Sequence, residues 1–163
     1  MEKDGRKVIY FSFGEKKAKT VSAQHVYLSN FFICLFVEDG IEYKSVEHYF
    51  QSKKFRDPDV AERVRNAETP GQAKRLGREV KIDKDWWGSV REDVMRKAIE
   101  LKFSQNLDLK EKLLHTEGSK LCEYSRRDKF WGGSCKGSAN TLGSILMDVR
   151  QQLKTPNQPQ APN

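Results

Sequence analysis

Cysteine and histidine are scarce in this sequence, which limits the metal and disulfide chemistry that it can support. Its three cysteines, Cys34, Cys122 and Cys135, are odd in number, lie far apart and form no C-x-x-C motif. The three histidines are scattered as well. We therefore expect neither a disulfide framework nor a zinc site, and this cysteine usage is typical of a reducing compartment.

Long hydrophobic runs are also missing. No apolar stretch approaches the roughly 20 residues that a transmembrane helix needs. The opening residues, M-E-K-D-G-R-K, are not followed by the apolar segment of a signal peptide. We therefore expect a cytoplasmic protein, with the nucleus as the alternative location, and no membrane partner.

The signatures of the common hydrolases are absent too. The sequence contains neither G-x-x-x-x-G-K-[ST] nor G-x-S-x-G, which argues against a P-loop and against a nucleophile elbow. No Ser-His-Asp or Cys-His arrangement suggests itself. Any catalysis would therefore depend on other groups, chiefly carboxylates and amines.

Positive charge is what the composition does offer. The 163 residues carry a formal net charge of +7, and 37% of them are hydrophobic while 33% are charged. This length is enough for one domain with a substantial core. The charge favours an anionic partner, such as a phosphate group or a nucleic acid.

Strand signals come first along the chain. Short apolar segments predict strands over residues 7–13, 32–37 and 41–43, and Asp39-Gly40 predicts a hairpin turn between the last two. One more short strand is predicted over residues 120–124. We therefore expect a small N-terminal antiparallel β part.

Helical periodicity dominates after residue 45, and several helix boundaries can be read from capping signals. Asp57 and Thr69 each precede a proline, which favours a helix start. Asn140 is expected to cap the last helix. Another helix is expected to end at Gly77, which would leave Arg78 just beyond it.

These patterns together predict an α+β, mainly helical fold. We assign residues 1–154 to a single domain and residues 155–163, which read T-P-N-Q-P-Q-A-P-N, to a disordered tail.

The stretch S-V-E-H-Y-F-Q-S-K-K-F carries the strongest chemical signal. Ser45 is a good helix N-cap. On the helix that follows, residues three, four and seven apart share a side, so a carboxylate, an aromatic ring, an amide and an amine are aligned. These residues are Glu47, Phe50, Gln51 and Lys54. The neighbouring aromatic residues indicate a largely buried helix, so we expect this face to line a cleft.

Other segments offer recognition groups. Trp86-Trp87 could stack on a planar ring, and the guanidinium of Arg78 could bind a phosphate. Gly132, Gly133 and Gly137 would let the backbone approach a ligand closely. The helix that follows Asn140 presents free amides, which is an anion site.

Two chemical routes fit the residues of the Glu47 helix. Carboxylates can support glycosidic cleavage, in which a positive oxocarbenium-like centre develops. A primary amine such as Lys54 can instead attack the anomeric carbon and give a Schiff base, provided that burial keeps it partly deprotonated. The charge of Glu47 would oppose that deprotonation and desolvation would favour it, and the sequence leaves this balance open.

Taken together, several blocks resemble the NADAR/YbiA-like family. They follow in family order over most of residues 8–153, and the E-H-Y-F-Q-x-x-K-F and D-x-F-W-G blocks are the specific ones. The others are L-S-N-F, L-G-R, W-G-S-V-R-E-D-V-M, K-F-S-Q-N and N-T-L-G-S-I-L-M-D-V-R.

This resemblance implies an N-glycosidase that breaks the C1–N bond of a phosphorylated ribose without a metal or other cofactor. Two substrate groups are associated with the family. The first is ADP-ribose attached to guanine in nucleic acid or nucleotides, which the enzyme removes; we prefer it because of the positive charge. The second is the phosphorylated ribosylamino-pyrimidine intermediates of riboflavin synthesis. A non-catalytic module that binds ADP-ribose or nucleic acid is the remaining alternative.

The resemblance also assigns roles to residues. Lys54, rather than Lys53, is expected to form the Schiff base, and Glu47 or Asp128 is expected to move the proton. The other family blocks suggest the pocket residues Asn30, Arg78, Trp87 and Trp131. Lys102 is a further candidate for the pocket.

In the resulting hypothesis, the pyrophosphate of ADP-ribose lies against Arg78 and the glycine loop, where Gly132, Gly137 and Asn140 would contact it. Trp87 or Trp131 stacks on the base or the adenine. Lys54 captures C1, and water then hydrolyses the imine. We expect a monomer.

Overall fold

A computed structural model describes residues 5–14, 21–134 and 137–154. Within these ranges helices alternate with short strands, and the mainly helical α+β class is confirmed. The elements in chain order are β1 (Val8–Phe11), a 3₁₀ helix (Ala23–Leu28), β2 (Phe36–Glu38), β3 (Ile41–Tyr43), α1 (Val46–Ser52), α2 (Pro58–Arg65), α3 (Pro70–Glu79), α4 (Lys84–Gln105), α5 (Leu107–Leu114), β4 (Lys120–Glu123) and α6 (Thr141–Lys154).

The strands form two separate pairs. Strands β2 and β3 make the predicted antiparallel hairpin, with Phe36 opposite Tyr43. Asp39 and Gly40 both have positive φ, at 50° and 76°, as this kind of turn requires. The first strand does not join this hairpin. It pairs in parallel with β4, with Val8 opposite Lys120, and so ties the start of the domain to a segment more than 100 residues away.

Helix α1 is the most enclosed element of the fold. Its N-cap Ser45 accepts a hydrogen bond from His48 N, and all seven of its residues are buried. The helix is in contact with α2, α3 and α4. A short helix that is buried all round owes its stability to this tertiary packing.

The capping signals located two more helix starts correctly. Asp57 accepts hydrogen bonds from Asp59 N and Val60 N at the start of α2, and Thr69 accepts one from Gln72 N at the start of α3. The predicted end of α3 is wrong, however. The helix continues to Glu79, so Gly77 lies inside it and Arg78 belongs to its last turn.

One core joins the strands to α4, α5 and α6. The fully buried side chains at its centre include those of Phe11, Leu28, Phe36, Phe103, Leu121, Leu142 and Leu146. No helix in the described ranges has both the length and the apolarity needed to cross a membrane.

The structure tests the expectation that the cysteines form no disulfide, but it does not test the predicted C-terminal tail. Cys34 is a free, buried cysteine, whereas Cys122 takes part in a disulfide bond, which the low cysteine content did not lead us to expect. The predicted tail over residues 155–163 lies outside the described residues, so the division at residue 154 stays a prediction.

Lys102 is part of this core and does not line the predicted pocket. Its side chain is fully buried, and Nζ donates hydrogen bonds to Tyr27 O at 2.6 Å and Ser29 O at 3.1 Å. Burial lowers the pKa of Lys102 to about 8, while the nearby Cys34 opposes the shift. Lys102 therefore anchors the end of the 3₁₀ helix at a cost in desolvation.

This buried lysine predicts a specific dependence of stability on pH. The folded pKa of about 8 is lower than the roughly 10.4 of an unfolded lysine, so between these values the unfolded state binds more protons. The free energy of unfolding should therefore rise from about pH 8 to about pH 10.4, by up to ~3 kcal/mol from this group. Urea unfolding at pH 7 to 10 should show that the free energy of unfolding of the wild type rises with pH relative to that of Lys102→Met. A difference between the two proteins that stays constant with pH would contradict the prediction.

Candidate active site

A cleft of about 240 Å³ lies where α1, α3, α4 and the loop after β4 meet. Seven of the ten residues predicted for the site line this central cleft, although their roles stay predictions. They are Asn30, Glu47, Lys54, Arg78, Trp87, Asp128 and Trp131. Residues from five separate segments of the chain thus converge as the sequence patterns indicated.

Helix α1 supplies the carboxylate of the cleft. Glu47 is only 6% exposed, and Gln51 Nε2 donates a hydrogen bond to its Oε1 at 2.7 Å. Burial raises the pKa of Glu47; the Gln51 hydrogen bond and the charges of Lys74, Lys54 and Arg78 oppose this rise. A carboxyl group in such surroundings can hold a proton more readily than one in water.

Lys54 supplies the amine, in the turn just after α1 ends at Ser52. Its Nζ lies 5.8 Å from the ring centroids of both Phe50 and Trp87. Burial lowers the pKa of Lys54, and although the charge of Glu47 opposes this shift, desolvation outweighs it. The net direction, which the sequence left open, is therefore a lowered pKa, and Lys54 loses its proton more readily than a solvent-exposed lysine.

The neighbouring lysine has a different environment. Lys53 Nζ is 2.6 Å from Glu38 Oε2 and lies 4.7 Å from the ring centroid of Tyr49. It does not line the central cleft. Lys54 and Lys53 are thus adjacent in sequence but separate in space, which makes the second a natural control for the first.

Three aromatic rings form one wall of the cleft. The ring centroid of Phe50 lies 4.9 Å from that of Trp87 and 5.5 Å from that of Trp131. Trp86 points elsewhere, since the guanidinium of Arg56 lies 4.9 Å from its ring centroid. Trp87 and Trp131 therefore supply the ring surfaces within the cleft.

Asp128 shapes the loop that carries Trp131. Its Oδ1 accepts hydrogen bonds from Phe130 N at 3.0 Å and from Trp131 N at 2.9 Å. The carboxylate therefore holds the turn of the D-K-F-W-G block and fixes the tryptophan beside α1.

Asn30 presents an unsatisfied acceptor to the cleft. The residue is 7% exposed, and its Nδ2 donates to Met95 Sδ at 3.5 Å. Its Oδ1 is buried without a hydrogen-bond partner among the described residues. Because an unpaired buried carbonyl is costly, this atom is suited to accept a hydrogen bond from a ligand hydroxyl or amino group.

The remaining three predicted residues lie outside the central cleft. A Cβ on Gly132 would stand 2.6 Å from Glu123 O, so this glycine permits close packing within the protein. Gly137 lines a different surface cavity. Asn140 accepts a hydrogen bond from Glu123 N and donates one to Leu121 O. The glycine loop and Asn140 thus approach β4 closely, whereas the sequence had suggested a ligand there.

Three charged residues of the cleft were missed: Lys74, Arg91 and Glu123. The first two could have been found, because Lys74 precedes Arg78 by one helical turn and Arg91 follows Trp87 by one helical turn. Glu123 carries no local signal, since its position depends on the parallel pairing of β4 with β1.

A second depression adjoins the cleft and is rich in positive charge. This basic groove, of about 660 Å³, is lined by Phe31, Gly71, Lys74, Arg78, Ser125, Arg127, Asp128, Lys129 and Phe130. It shares four of these residues with the central cleft, namely Phe31, Lys74, Arg78 and Asp128. The two depressions are therefore continuous, and four cations face a single carboxylate in the groove.

Comparison with known families decides the relationship that these blocks suggested. A family model described as the NADAR domain matches residues 13–154. The chain belongs to the NADAR family. The match spans every element from the 3₁₀ helix to α6, including all of the residues that line the central cleft.

Several NADAR relatives are similar over most of the chain. N-glycosidase YbiA of Escherichia coli (strain K12) is 41% identical over 127 residues, which are 77% of this chain and 79% of that protein. An N-glycosidase of Nostoc punctiforme is 38% identical over 68% of this chain and 74% of its own. A riboflavin biosynthesis protein of Vibrio vulnificus is 41% identical over 80% of this chain, which matches 36% of that longer protein.

The fold agrees with that of a solved relative. The NMR structure of E. coli YbiA superposes with a TM-score of 0.76 at 36% identity, covering 91% of this chain and 86% of that one. The NADAR fold is therefore shared over nearly the whole domain.

The L-G-R block of the NADAR family acquires a physical meaning in this structure. A Cβ on Gly77 would overlap Gln51 Oε1 and stand 3.0 Å from Gln51 Cδ. The glycine in α3 therefore leaves space for the amide of α1 that hydrogen-bonds Glu47.

Gly77→Ala should consequently displace the Gln51 amide, so that Glu47 loses its hydrogen bond. We expect kcat/KM for the hydrolysis of an N-glycosyl bond to fall by at least about tenfold. Thermal denaturation should show only a small loss of stability. Alanine has a helix propensity about 1 kcal/mol better than glycine, and this gain offsets part of the crowding. Gly88→Ala in α4, where nothing lies within 4 Å of the added Cβ, is the control. Equal activity of the two variants would contradict this explanation.

Proposed function

We propose that the protein is an N-glycosidase that hydrolyses the C1–N bond of a phosphorylated ribose through a Schiff base on Lys54. One observation carries the proposal: a half-buried amine and a buried carboxyl group, those of Lys54 and Glu47, line the same 240 Å³ cleft. Membership of a family whose relatives are named N-glycosidases supports the reaction type.

The environment of Lys54 suits a nucleophile. Only the neutral amine can attack C1, and an ammonium group has no lone pair to give. Burial lowers the pKa of Lys54 and so increases the neutral fraction at a given pH. The rings of Phe50 and Trp87 flank the amine, which limits hydration and restricts where Nζ can lie.

Glu47 suits the task of moving a proton near the amine. Its raised pKa brings the carboxyl group closer to neutral pH, where it can both accept and donate a proton. The hydrogen bond from Gln51 fixes the orientation of the carboxyl group. In this proposal Glu47 takes the proton that the attacking amine must lose.

The preferred substrate is ADP-ribose attached to guanine, in nucleic acid or in a nucleotide. The basic groove supports this choice because it extends the central cleft with Lys74, Arg78, Arg127 and Lys129. ADP-ribose carries two phosphates, and guanidinium and ammonium groups are the usual partners of such anions. This position of the diphosphate replaces the glycine loop that the sequence had suggested.

A second candidate substrate is a phosphorylated ribosylamino-pyrimidine intermediate of riboflavin synthesis. Relatives from Vibrio vulnificus and Zea mays are named riboflavin biosynthesis proteins, at 41% and 37% identity. The same cleavage of a C1–N bond would apply. A non-catalytic binding module is disfavoured, because recognition alone does not need a desolvated amine beside a carboxyl group.

Borohydride trapping tests the Schiff base. Incubation with ADP-ribosylated guanine oligonucleotide and borohydride should fix the sugar covalently to wild-type protein, and mass spectrometry should place the adduct on Lys54. Lys54→Ala should lose the adduct and nearly all turnover while it still binds ADP-ribose. Lys53→Ala is the matched control and should retain both. Full turnover by Lys54→Ala would leave a carboxylate-only oxocarbenium route.

The basic groove predicts how the two substrates differ. Arg127→Ala/Lys129→Ala should reduce kcat/KM for the ADP-ribosylated guanine oligonucleotide by about tenfold, the effect of ~1.4 kcal/mol of lost phosphate binding. For the riboflavin intermediate, which has one phosphate, kcat/KM should fall less than threefold. Lys84→Ala/Lys112→Ala, which removes two exposed cations elsewhere, is the control. Turnover of the riboflavin intermediate alone would establish the second candidate.

A further inference from the structure

A third carboxyl group lies in the central cleft and has no assigned task. Glu123 ends β4 and lines the cleft together with Glu47 and Asp128. The three carboxyl groups come from β4, from α1 and from the loop after β4. Glu123 is not an exposed surface residue, so the solvation that usually accounts for carboxylates does not explain its position.

The backbone around Glu123 is held from both sides. Glu123 N donates to Asn140 Oδ1 at 3.2 Å, and Gly133 N donates to Glu123 O at 2.8 Å. Gly132 packs so closely that a Cβ there would stand 2.9 Å from Glu123 Oε2. The glycines of the loop therefore hold the Glu123 side chain at the edge of the cleft.

The surroundings of Glu123 favour its protonated form. Burial, together with the charges of Asp128 and Glu47, raises the pKa of Glu123 to about 7, and the charge of Lys74 opposes this rise. A carboxyl group that is half protonated near neutral pH meets the main requirement for a general acid. The charged groups that face the cleft around it are Glu47, Lys54, Lys74, Arg78, Arg91 and Asp128.

The other two carboxyl groups are occupied. Asp128 Oδ1 accepts two backbone amides of its own loop, and Glu47 accepts the hydrogen bond from Gln51. Glu47 lies on α1 and Lys54 just after it, so Glu47 is suited to serve that amine. Glu123 reaches the cleft from β4 and is the carboxyl group left to serve the departing base.

We propose that Glu123 is a catalytic residue of this N-glycosidase, the general acid that protonates the departing base. As the C1–N bond breaks, the base nitrogen keeps the bonding electrons and takes the Glu123 proton. Lys54 Nζ then bonds to C1 and loses one proton to Glu47. The ring C1–O bond breaks, its oxygen takes that proton from Glu47, and the C1=Nζ Schiff base forms. In the second half, water adds a hydroxyl group to C1 and gives its other proton to Glu123. The C1–Nζ bond then breaks as the hydroxyl proton passes to Nζ, which leaves the free aldehyde of the sugar and the neutral amine.

This inference rests on the proposed N-glycosidase reaction, but its acid step does not depend on the Schiff base. The first test measures the pre-steady-state release of guanine from an ADP-ribosylated oligonucleotide, or of the pyrimidine from the riboflavin intermediate, between pH 5.5 and 9. Wild-type release should fall above about pH 7, as Glu123 loses its proton.

Glu123→Gln should release the base at least about 100-fold more slowly at pH 6.5, within the range of general acid catalysis, and should lose the fall above pH 7. Formate should partly restore Glu123→Ala, which a purely structural role would not allow. Glu111→Gln, an exposed change on α5, is the control. A Glu123→Gln variant with wild-type rates or with an unchanged fall above pH 7 would overturn the assignment, even if Lys54 is trapped.

A direct titration keeps the inference testable if neither substrate is turned over. Carbon-13 NMR of the labelled glutamate carboxyl groups should show one signal that titrates near pH 7 and that is lost in Glu123→Gln. A Glu123 signal that titrates near pH 4 would overturn the proposal. If base release depends on Glu123 but no covalent adduct forms on Lys54, Glu123 remains the general acid and the Schiff base is excluded.

Discussion

The desolvation of charged side chains at α1 is the constraint on which the site depends. Glu47 and Lys54 line one cleft, and burial shifts the pKa of each toward its neutral form. Water would cancel both effects, so the surrounding structure has to exclude it. The rings of Phe50, Trp87 and Trp131 form the wall that does so, and the burial of α1 among α2, α3 and α4 keeps that wall in place.

Much of the NADAR architecture can be understood as support for these groups. Gly77 in α3 leaves space for Gln51, which orients Glu47. Asp128 holds the turn that presents Trp131. Gly132 lets the loop after β4 pack against Glu123. Each of these residues acts on another residue of the protein, which explains why short blocks with glycines and polar groups can mark a site without all touching a ligand.

In the proposed function, the cleft and the basic groove share the recognition of a substrate. The cleft offers ring surfaces and an unpaired acceptor, Asn30 Oδ1, and it shares the cations Lys74 and Arg78 with the groove. The groove carries Arg127 and Lys129 at positions that remain exposed to solvent. Arg127 and Lys129 thus add solvent-exposed positive charge to the cations that already line the cleft.

Local sequence determined the features that depend on one turn of backbone. Ser45 starts α1, and helical spacing places Glu47 and Gln51 on one face, while Lys54 follows in the turn just after Ser52. Hairpin and capping signals at Asp39-Gly40, Asp57 and Thr69 act over two to four residues, so they could be read without the fold. Tertiary structure alone decided the position of Glu123 and moved Gly132 and Asn140 from the ligand to β4. Those outcomes depend on the pairing of β1 with β4, whose energy comes from contacts between residues too far apart in sequence for any local pattern to record.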